Sequence, residues 1–225
     1  AQSADIGFYE QVIDICKHYG VYVISDLAYC ELYYDSNPPP SILQVKGAKD
    51  IAVEFTTVSK TYSMAGWRIG FAVGNKTLIA ALTKIKSYLD YGTFLPVQVA
   101  AAAALNGPQD YVVNLRTMYK ARRDILAEGM IDAGWNVTVP NASMFLWAEI
   151  PEAYRSIGCL EFSKLLLKHA DVAVAPGIGF GAGGEGFVRI ALVENKNRIR
   201  QAVRNIKQFL VSDPQENIRS LEKAG

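Results

Sequence analysis

Thr-Thr-Val-Ser-Lys-Thr-Tyr-Ser-Met-Ala-Gly-Trp-Arg-Ile-Gly-Phe, residues 56–71, holds one lysine, Lys60, and one arginine, Arg68. The run 51–58 is apolar and β-branched enough for a buried strand, which puts Lys60 at or just past that strand's carboxyl end. Open α/β sheets keep their ligand sites at that edge. Three hydroxyl residues, Thr57, Ser59 and Thr61, surround the lysine, and Arg68 opens a second strand-like run, 69–73. Hydroxyls and a planar guanidinium fork are donors suited to a phosphate dianion. A surface lysine at a strand end would look the same in this stretch alone.

The neighbouring sequence separates the two readings. Upstream, Val-Tyr-Val-Ile-Ser at 21–25 forms another apolar run, ending in Asp26 with Tyr29 just beyond. If the two runs are consecutive strands of one sheet, Asp26 and Lys60 share an edge. An acid, a phenol, a lysine and a phosphate clamp on one sheet edge describe a pyridoxal phosphate site. An N-capping or loop role for Asp26, and simple aromatic packing for Tyr29 beside Tyr33 and Tyr34, are the plain structural alternatives.

The motifs Asp26-Leu27-Ala28-Tyr29, then Ser59-Lys60-Thr61-Tyr62-Ser63-Met64-Ala65-Gly66-Trp67-Arg68-Ile69-Gly70, then Gly186-Phe187-Val188-Arg189-Ile190-Ala191-Leu192 follow one another along nearly the whole chain. In order and separation they resemble the fold-type I pyridoxal-phosphate aminotransferases of class I/II. The wording is similar to the branch containing alanine (glutamate–pyruvate) and LL-diaminopimelate aminotransferases. The resemblance implies an α/β fold with part of a large cofactor domain, mainly parallel sheet with helices, over 1–108. A linking helix and a C-terminal small α/β domain would occupy 109–225. It also implies a C-terminal fragment of a longer enzyme, one that in its complete form is a homodimer.

The resemblance assigns roles residue by residue. Lys60 would be the Schiff-base lysine, and afterwards the base that moves a proton at the substrate Cα. Asp26 would pair with the pyridine nitrogen of pyridoxal 5'-phosphate and Tyr29 with its phenolic oxygen. Thr57, Ser59 and Arg68 would hold the phosphate; many relatives carry serine where Thr57 stands, and either hydroxyl can donate. Arg189 would grip the substrate α-carboxylate through two parallel hydrogen bonds. From its own surroundings, an arginine set between Val188 and Ile190 needs a partner, which a structural ion pair would also satisfy. Tyr91, Thr93 and Phe94 would reach a neighbouring subunit's site. The implied reaction is ping-pong transfer of an amino group between an amino acid and a 2-oxo acid, with alanine and 2-oxoglutarate (the alanine/glutamate pair) first and LL-diaminopimelate or aspartate second. A β-lyase on the same fold and a non-catalytic regulatory domain remain as alternatives.

Composition sets wider bounds. The chain has 225 residues, half of them hydrophobic and a fifth charged, with net charge +1. That is ample length for a core and gives no electrostatic reason to expect nucleic acid or a membrane surface as partner. The three cysteines, Cys16, Cys30 and Cys159, are scattered and form no CxxC, which favours free thiols in a reducing compartment, the cytoplasm by default. Gly179, Gly181 and Gly184 spell GxGxxG, but a strand follows where dinucleotide binding needs a helix. This run, 177–186, reads as a mobile turn that carries Arg189 toward a ligand. His18 and His169 lie at helix ends without metal-ligand spacing, so no metal is expected.

The remaining elements follow from periodicity. Helices are expected over 8–19 with a stripe at Phe8, Val12, Ile15 and Cys16, then over 76–91, 96–105, 109–133, 160–169 and 195–210. Strands are expected at 135–139, 144–150, 172–175 and 187–193. The polar tail from Ser212 is expected to fray.

Overall fold

A computed structural model of the chain describes residues 2–222. They form two compact units, Gln2–Thr117 and one from Met118 onward.

In the first unit, α1 (Ile6–His18) is capped by Asp5, whose Oδ1 accepts from the Phe8 amide at 2.8 Å. Strands β1 (Val23–Asp26) and β2 (Ala52–Thr57) pair in parallel, with Asp26 opposite Phe55. A single helical turn, α2 (Val58–Thr61), follows, and β3 (Gly70–Gly74) returns antiparallel to β2. The sheet thus has one parallel and one antiparallel pair, because the segment between β2 and β3 is too compact to form a crossover helix. Helices α3 (Lys76–Leu89) and α4 (Leu95–Asn106) come next, and Asn75 caps α3 through Oδ1.

The core of this unit collects Ile13, Ile42, Ala48 and Ala52, with Tyr9, Val12 and Val23 packed on them. That corrects the expected stripe of α1. Phe8 and Ile15 are 54% and 59% exposed, and the buried face is the equally 3–4-spaced Tyr9–Val12–Ile13 set. Glu54 is buried on the same side of the sheet, where it accepts from Ser41 Oγ (2.7 Å), the Ile42 amide (3.1 Å) and Ser25 Oγ (3.3 Å).

Helix α5 (Asp110–Asp132) runs from one unit into the other. In the second unit β4 (Phe145–Glu149), β6 (Phe187–Ala191) and the two-residue β5 (Ala175–Pro176) form an antiparallel sheet in the order β4-β6-β5. Leu146, Ala148, Val188 and Ile190 point into the core. Helices α6 (Gly158–Ala170) and α7 (Lys196–Val211) complete it around Trp135, Tyr154, Phe162 and Phe209, with Tyr154 and Phe209 stacked at 5.2 Å. Gly129 of α5 meets Val203 of α7 with no room for a side chain between them.

Three expectations fail here. The strand expected at 172–175 is reduced to the two-residue β5, which shares only residue 175 with it. Residues 135–139 form no strand. Trp135 is held by packing on Phe162 and by an Nε1–H donated to the Glu149 carbonyl at 2.7 Å, so burial replaces ladder pairing. The described part of the tail is helical: α8 (Pro214–Glu222) is tied down by Asn217, which donates to Tyr154 Oη at 2.9 Å and Ser212 Oγ at 2.8 Å. The last three residues of the tail, 223–225, lie outside the described residues.

Candidate active site

Parallel pairing fixes the site's edge. The ladder continues one residue past β1, where the Leu27 amide donates to the Phe55 carbonyl at 2.8 Å. Asp26 and Phe55, opposite each other, therefore sit at one end of the sheet, and alternation puts Ile24, Asp26, Phe55 and Thr57 on one face. That face borders an open cleft of about 320 Å³ lined by Ile24, Asp26, Ala28, Phe55, Thr56 and Thr57. Asp26 is exposed to it, and its Oδ1 accepts from the Ala28 amide at 3.1 Å, a turn that holds the carboxylate in place.

Thr57 ends β2 and caps α2: its Oγ1 accepts from the Ser59 amide at 3.1 Å. The same oxygen lies 2.8 Å from the Ile69 carbonyl and 2.9 Å from Ser59 Oγ. A hydroxyl has one proton, and a carbonyl can only accept. Thr57 therefore spends its proton on Ile69, and the Ser59 hydroxyl proton is left to turn toward Thr57 or toward a ligand. Lys60 stands in the turn capped in this way, half-buried, with its Nζ 5.7 Å from the centre of the Tyr29 ring.

Arg68 adopts a left-handed backbone, φ 53 and ψ 53, between a 3₁₀ turn and β3. Such a conformation is uncommon outside glycine and signals a constraint on where the side chain must go. Its Nη1 donates to the Ala65 carbonyl at 2.9 Å, and the rest of the fork is exposed. Beside it, Gly70 is pressed against the Thr56 carbonyl, 2.8 Å from where a Cβ would stand, so β3 can leave the arginine only through a glycine.

These six residues, Asp26, Tyr29, Thr57, Ser59, Lys60 and Arg68, all belong to the first unit. Asp26 and Thr57 line the cleft, and Ser59 and Lys60 follow Thr57 in the turn α2. Carboxylate, phenol, amine, hydroxyls and guanidinium are a donor set whose chemistry fits pyridoxal 5'-phosphate, a pyridinium ring with a phenolic oxygen and a dianionic phosphate. Cys30 lies behind the sheet edge near Thr56, and burial pushes its thiol pKa up, which makes it a poor nucleophile.

Arg189 belongs to the second unit, in mid-β6 opposite Trp147. The glycine-rich run 177–186 leads directly into β6, of which Arg189 is the third residue. Its guanidinium carbon lies 4.2 Å from the centres of both Phe145 and Phe180, a two-sided cation–π arrangement. Trp147, on the same sheet face, contacts Phe180 edge-on and stacks on Phe187, each at 5.7 Å. Among the described residues no carboxylate pairs with Arg189, and no hydrogen bond to its guanidinium is present. Rings on both faces leave the planar edge of the fork as the place for an anion.

The aromatic cage was not anticipated from the sequence. Phe145 was within reach, because Phe-Leu-Trp-Ala alternates across β4 and a residue two from the one opposite Arg189 is its diagonal neighbour. Phe180 had no such signal; it is a lone aromatic in a glycine-rich run.

The family model "Aminotransferase class I and II" matches residues 2–206. The putative aminotransferase AatC of Rhizobium meliloti is 58% identical over 223 residues, 98% of this chain and 55% of that protein. The glutamate-pyruvate aminotransferase AlaC of Escherichia coli is 56% identical over 95% of this chain and 52% of its own length. Among solved structures, a probable N-succinyldiaminopimelate aminotransferase from Thermus thermophilus superposes with a TM-score of 0.85 at 34% identity. That match covers 92% of this chain and 55% of the other. The chain spans about half the length of the curated relatives it matches.

Proposed function

The chain belongs to the class I and II aminotransferases, and from that premise we propose that it carries the covalent lysine, the ring and phosphate contacts and the carboxylate grip of an enzyme exchanging amino groups between amino acids and 2-oxo acids. Alanine with 2-oxoglutarate is the proposed pair, supported by the likeness to the glutamate-pyruvate enzyme. The observation that carries the reading is the convergence of Asp26, Thr57 and Lys60 on one sheet edge beside an open cleft.

When bound, pyridoxal 5'-phosphate supplies an aldehyde that condenses with amines and a ring that draws electron density from the carbon losing its proton. Asp26 holds the proton on the ring nitrogen, because an anion at that position favours the charged ring. Tyr29 would donate its hydroxyl proton to the phenolic oxygen. Ser59, with its free proton, and Arg68, with its exposed fork, bind the phosphate, while Thr57 fixes the turn from which Ser59 and Lys60 project. Lys60 is the covalent anchor and then the group that takes and returns the proton at the substrate Cα. Arg189 binds the substrate carboxylate in the plane that Phe145 and Phe180 leave open.

The test is to add pyridoxal phosphate to the protein, reduce with borohydride, map the labelled peptide, and assay a panel of amino acids with 2-oxo acid acceptors. Label on Lys60 with alanine-dependent glutamate formation is expected. Label scattered over surface lysines, or no transfer from any amino acid, would overturn the reading. Pyruvate released without an acceptor would replace it with a β-lyase.

A homodimer is part of the proposal, supported by the apolar side chains that α3, α4 and their connection expose: Ile85, Leu89, Tyr91, Phe94 and Leu95 are each more than half exposed. A monomer in equilibrium sedimentation would remove it. Cytoplasmic residence is supported by the three cysteines, all free. Recovery of the protein from a membrane or extracellular fraction would contradict it.

A further inference from the structure

Phe145, Trp147 and Phe187 face Arg189 from the sheet itself, but Phe180 stands on the glycine-rich loop that follows β5. A strand is rigid, whereas five glycines between 177 and 184 give this loop wide intrinsic backbone freedom. Something other than the sheet must therefore hold Phe180 against the guanidinium.

The loop is closed at both ends. At its neck Gly177 and Gly184 touch backbone to backbone, so that a Cβ on either would strike the carbonyl of the other. From this neck the chain makes two 3₁₀ turns, Gly177–Phe180 and Ala182–Gly184, with Phe180 at the end of the first. Past the neck, Glu185 turns its carboxylate back to the start of α6. Oε1 accepts from the Cys159 amide at 2.7 Å and the Gly186 amide at 3.0 Å, and Oε2 accepts from Cys159 Sγ at 3.3 Å. Cys159 Sγ in turn accepts from the Ile178 amide at 3.3 Å, on the opposite side of the loop. One carboxylate and one fully buried thiol thus tie the loop's outgoing and incoming strands to the first turn of α6.

We propose that Glu185 is a positioning residue for Arg189, acting through Phe180: its carboxylate pins the loop to α6 and thereby holds the Phe180 ring over one face of the carboxylate-binding guanidinium. This rests on the reading of Arg189 given above. With Phe180 in place the guanidinium is confined between two rings and presents its fork in one plane, so a substrate carboxylate meets donors already ordered and partly stripped of water. With the latch broken the loop keeps its length but loses its register, and Arg189 becomes free to rotate.

The experiment compares Glu185→Ala, Phe180→Ala and the double variant in the protein at its full length, loaded with cofactor. Arg189→Lys is the control. KM for alanine and 2-oxoglutarate is measured separately from kcat, and binding of succinate, a non-reacting carboxylate, is followed by titration calorimetry. Each single variant is expected to raise KM and the succinate Kd by about three- to thirty-fold, the range set by one cation–π contact. The kcat should change far less, because the loss is in binding common to ground and transition states. The double variant should match the singles, since Glu185 has nothing to position once Phe180 is gone.

Effects that multiply in the double variant, or an unchanged KM in Glu185→Ala, would overturn the proposal while leaving the carboxylate role of Arg189 standing. An unchanged KM in Arg189→Lys would overturn both. If Glu185→Ala fails to fold, Glu185→Ser takes its place in the cycle, because it keeps a small polar side chain at this exposed position and is too short to reach the Cys159 amide.

Discussion

Thr57 Oγ1 lies 2.8 Å from the Ile69 carbonyl and 3.1 Å from the Ser59 amide, so one hydroxyl caps the turn that carries Lys60 and ties it to the segment after Arg68. Thr57→Val keeps the shape and removes both bonds. It should cost about 1–2 kcal/mol in urea unfolding, the usual effect of losing such a cap, and weaken pyridoxal phosphate binding in an absorbance titration. Thr57→Ser should restore both. Equal stability and cofactor affinity in the valine variant would show that the turn is held by something else.

A second prediction concerns the packing of α5 on α7. A Cβ at Gly129 would stand 2.5 Å from Val203 Cγ1 and 2.9 Å from Cγ2. Intrinsic propensity favours alanine over glycine inside a helix by about 1 kcal/mol, and overpacking costs about 1–3 kcal/mol. The clash should win: Gly129→Ala should lower stability, and adding Val203→Ala should recover most of the loss. A stabilised Gly129→Ala would mean that the helices separate at no cost.

Most of the first unit's candidate residues were legible in the sequence because their signals are local. Lys60, Asp26 and Tyr29 lie at the ends of apolar runs, and parallel pairing of consecutive strands then brings them together. The features that escaped depend on partners far apart in sequence. Nothing near Glu54 marks it as a buried hub for Ser25 and Ser41, and nothing near Glu185 points to Cys159. Residues 135–139 look like a strand because Trp135 and Val139 are apolar, yet only a free ladder edge makes a strand. The tail from Ser212 looks solvated because one buried asparagine, Asn217, carries its docking, and asparagine has no hydrophobic signature.

The third prediction follows from that hub. Glu54 is 6% exposed and accepts two hydroxyls and one amide. Its charge, after burial itself, also raises the pKa of Tyr9. Glu54→Leu would leave Ser25, Ser41 and the Ile42 amide without that acceptor, at about 1–3 kcal/mol for each group that water cannot reach. A loss of at least about 2 kcal/mol is expected in urea unfolding. A leucine variant as stable as the parent would show that the donors find other acceptors or water.

The last prediction is a pH dependence at Glu185. The amides of Cys159 and Gly186 and the Cys159 thiol hold its carboxyl below the usual glutamate range. A carboxyl whose pKa is lower in the folded than in the unfolded chain contributes stability above the unfolded value, about 4.3. It loses that contribution as pH falls through the folded value. The latch should therefore be intact at neutral pH and released in acid. Urea midpoints measured across a series from neutral pH down to about pH 3 should show the parent ahead of Glu185→Gln at the upper end, with the gap closing below about pH 4.3. A gap that stays constant across the series would mean that the carboxylate's charge contributes nothing and that its shape alone holds the loop on α6.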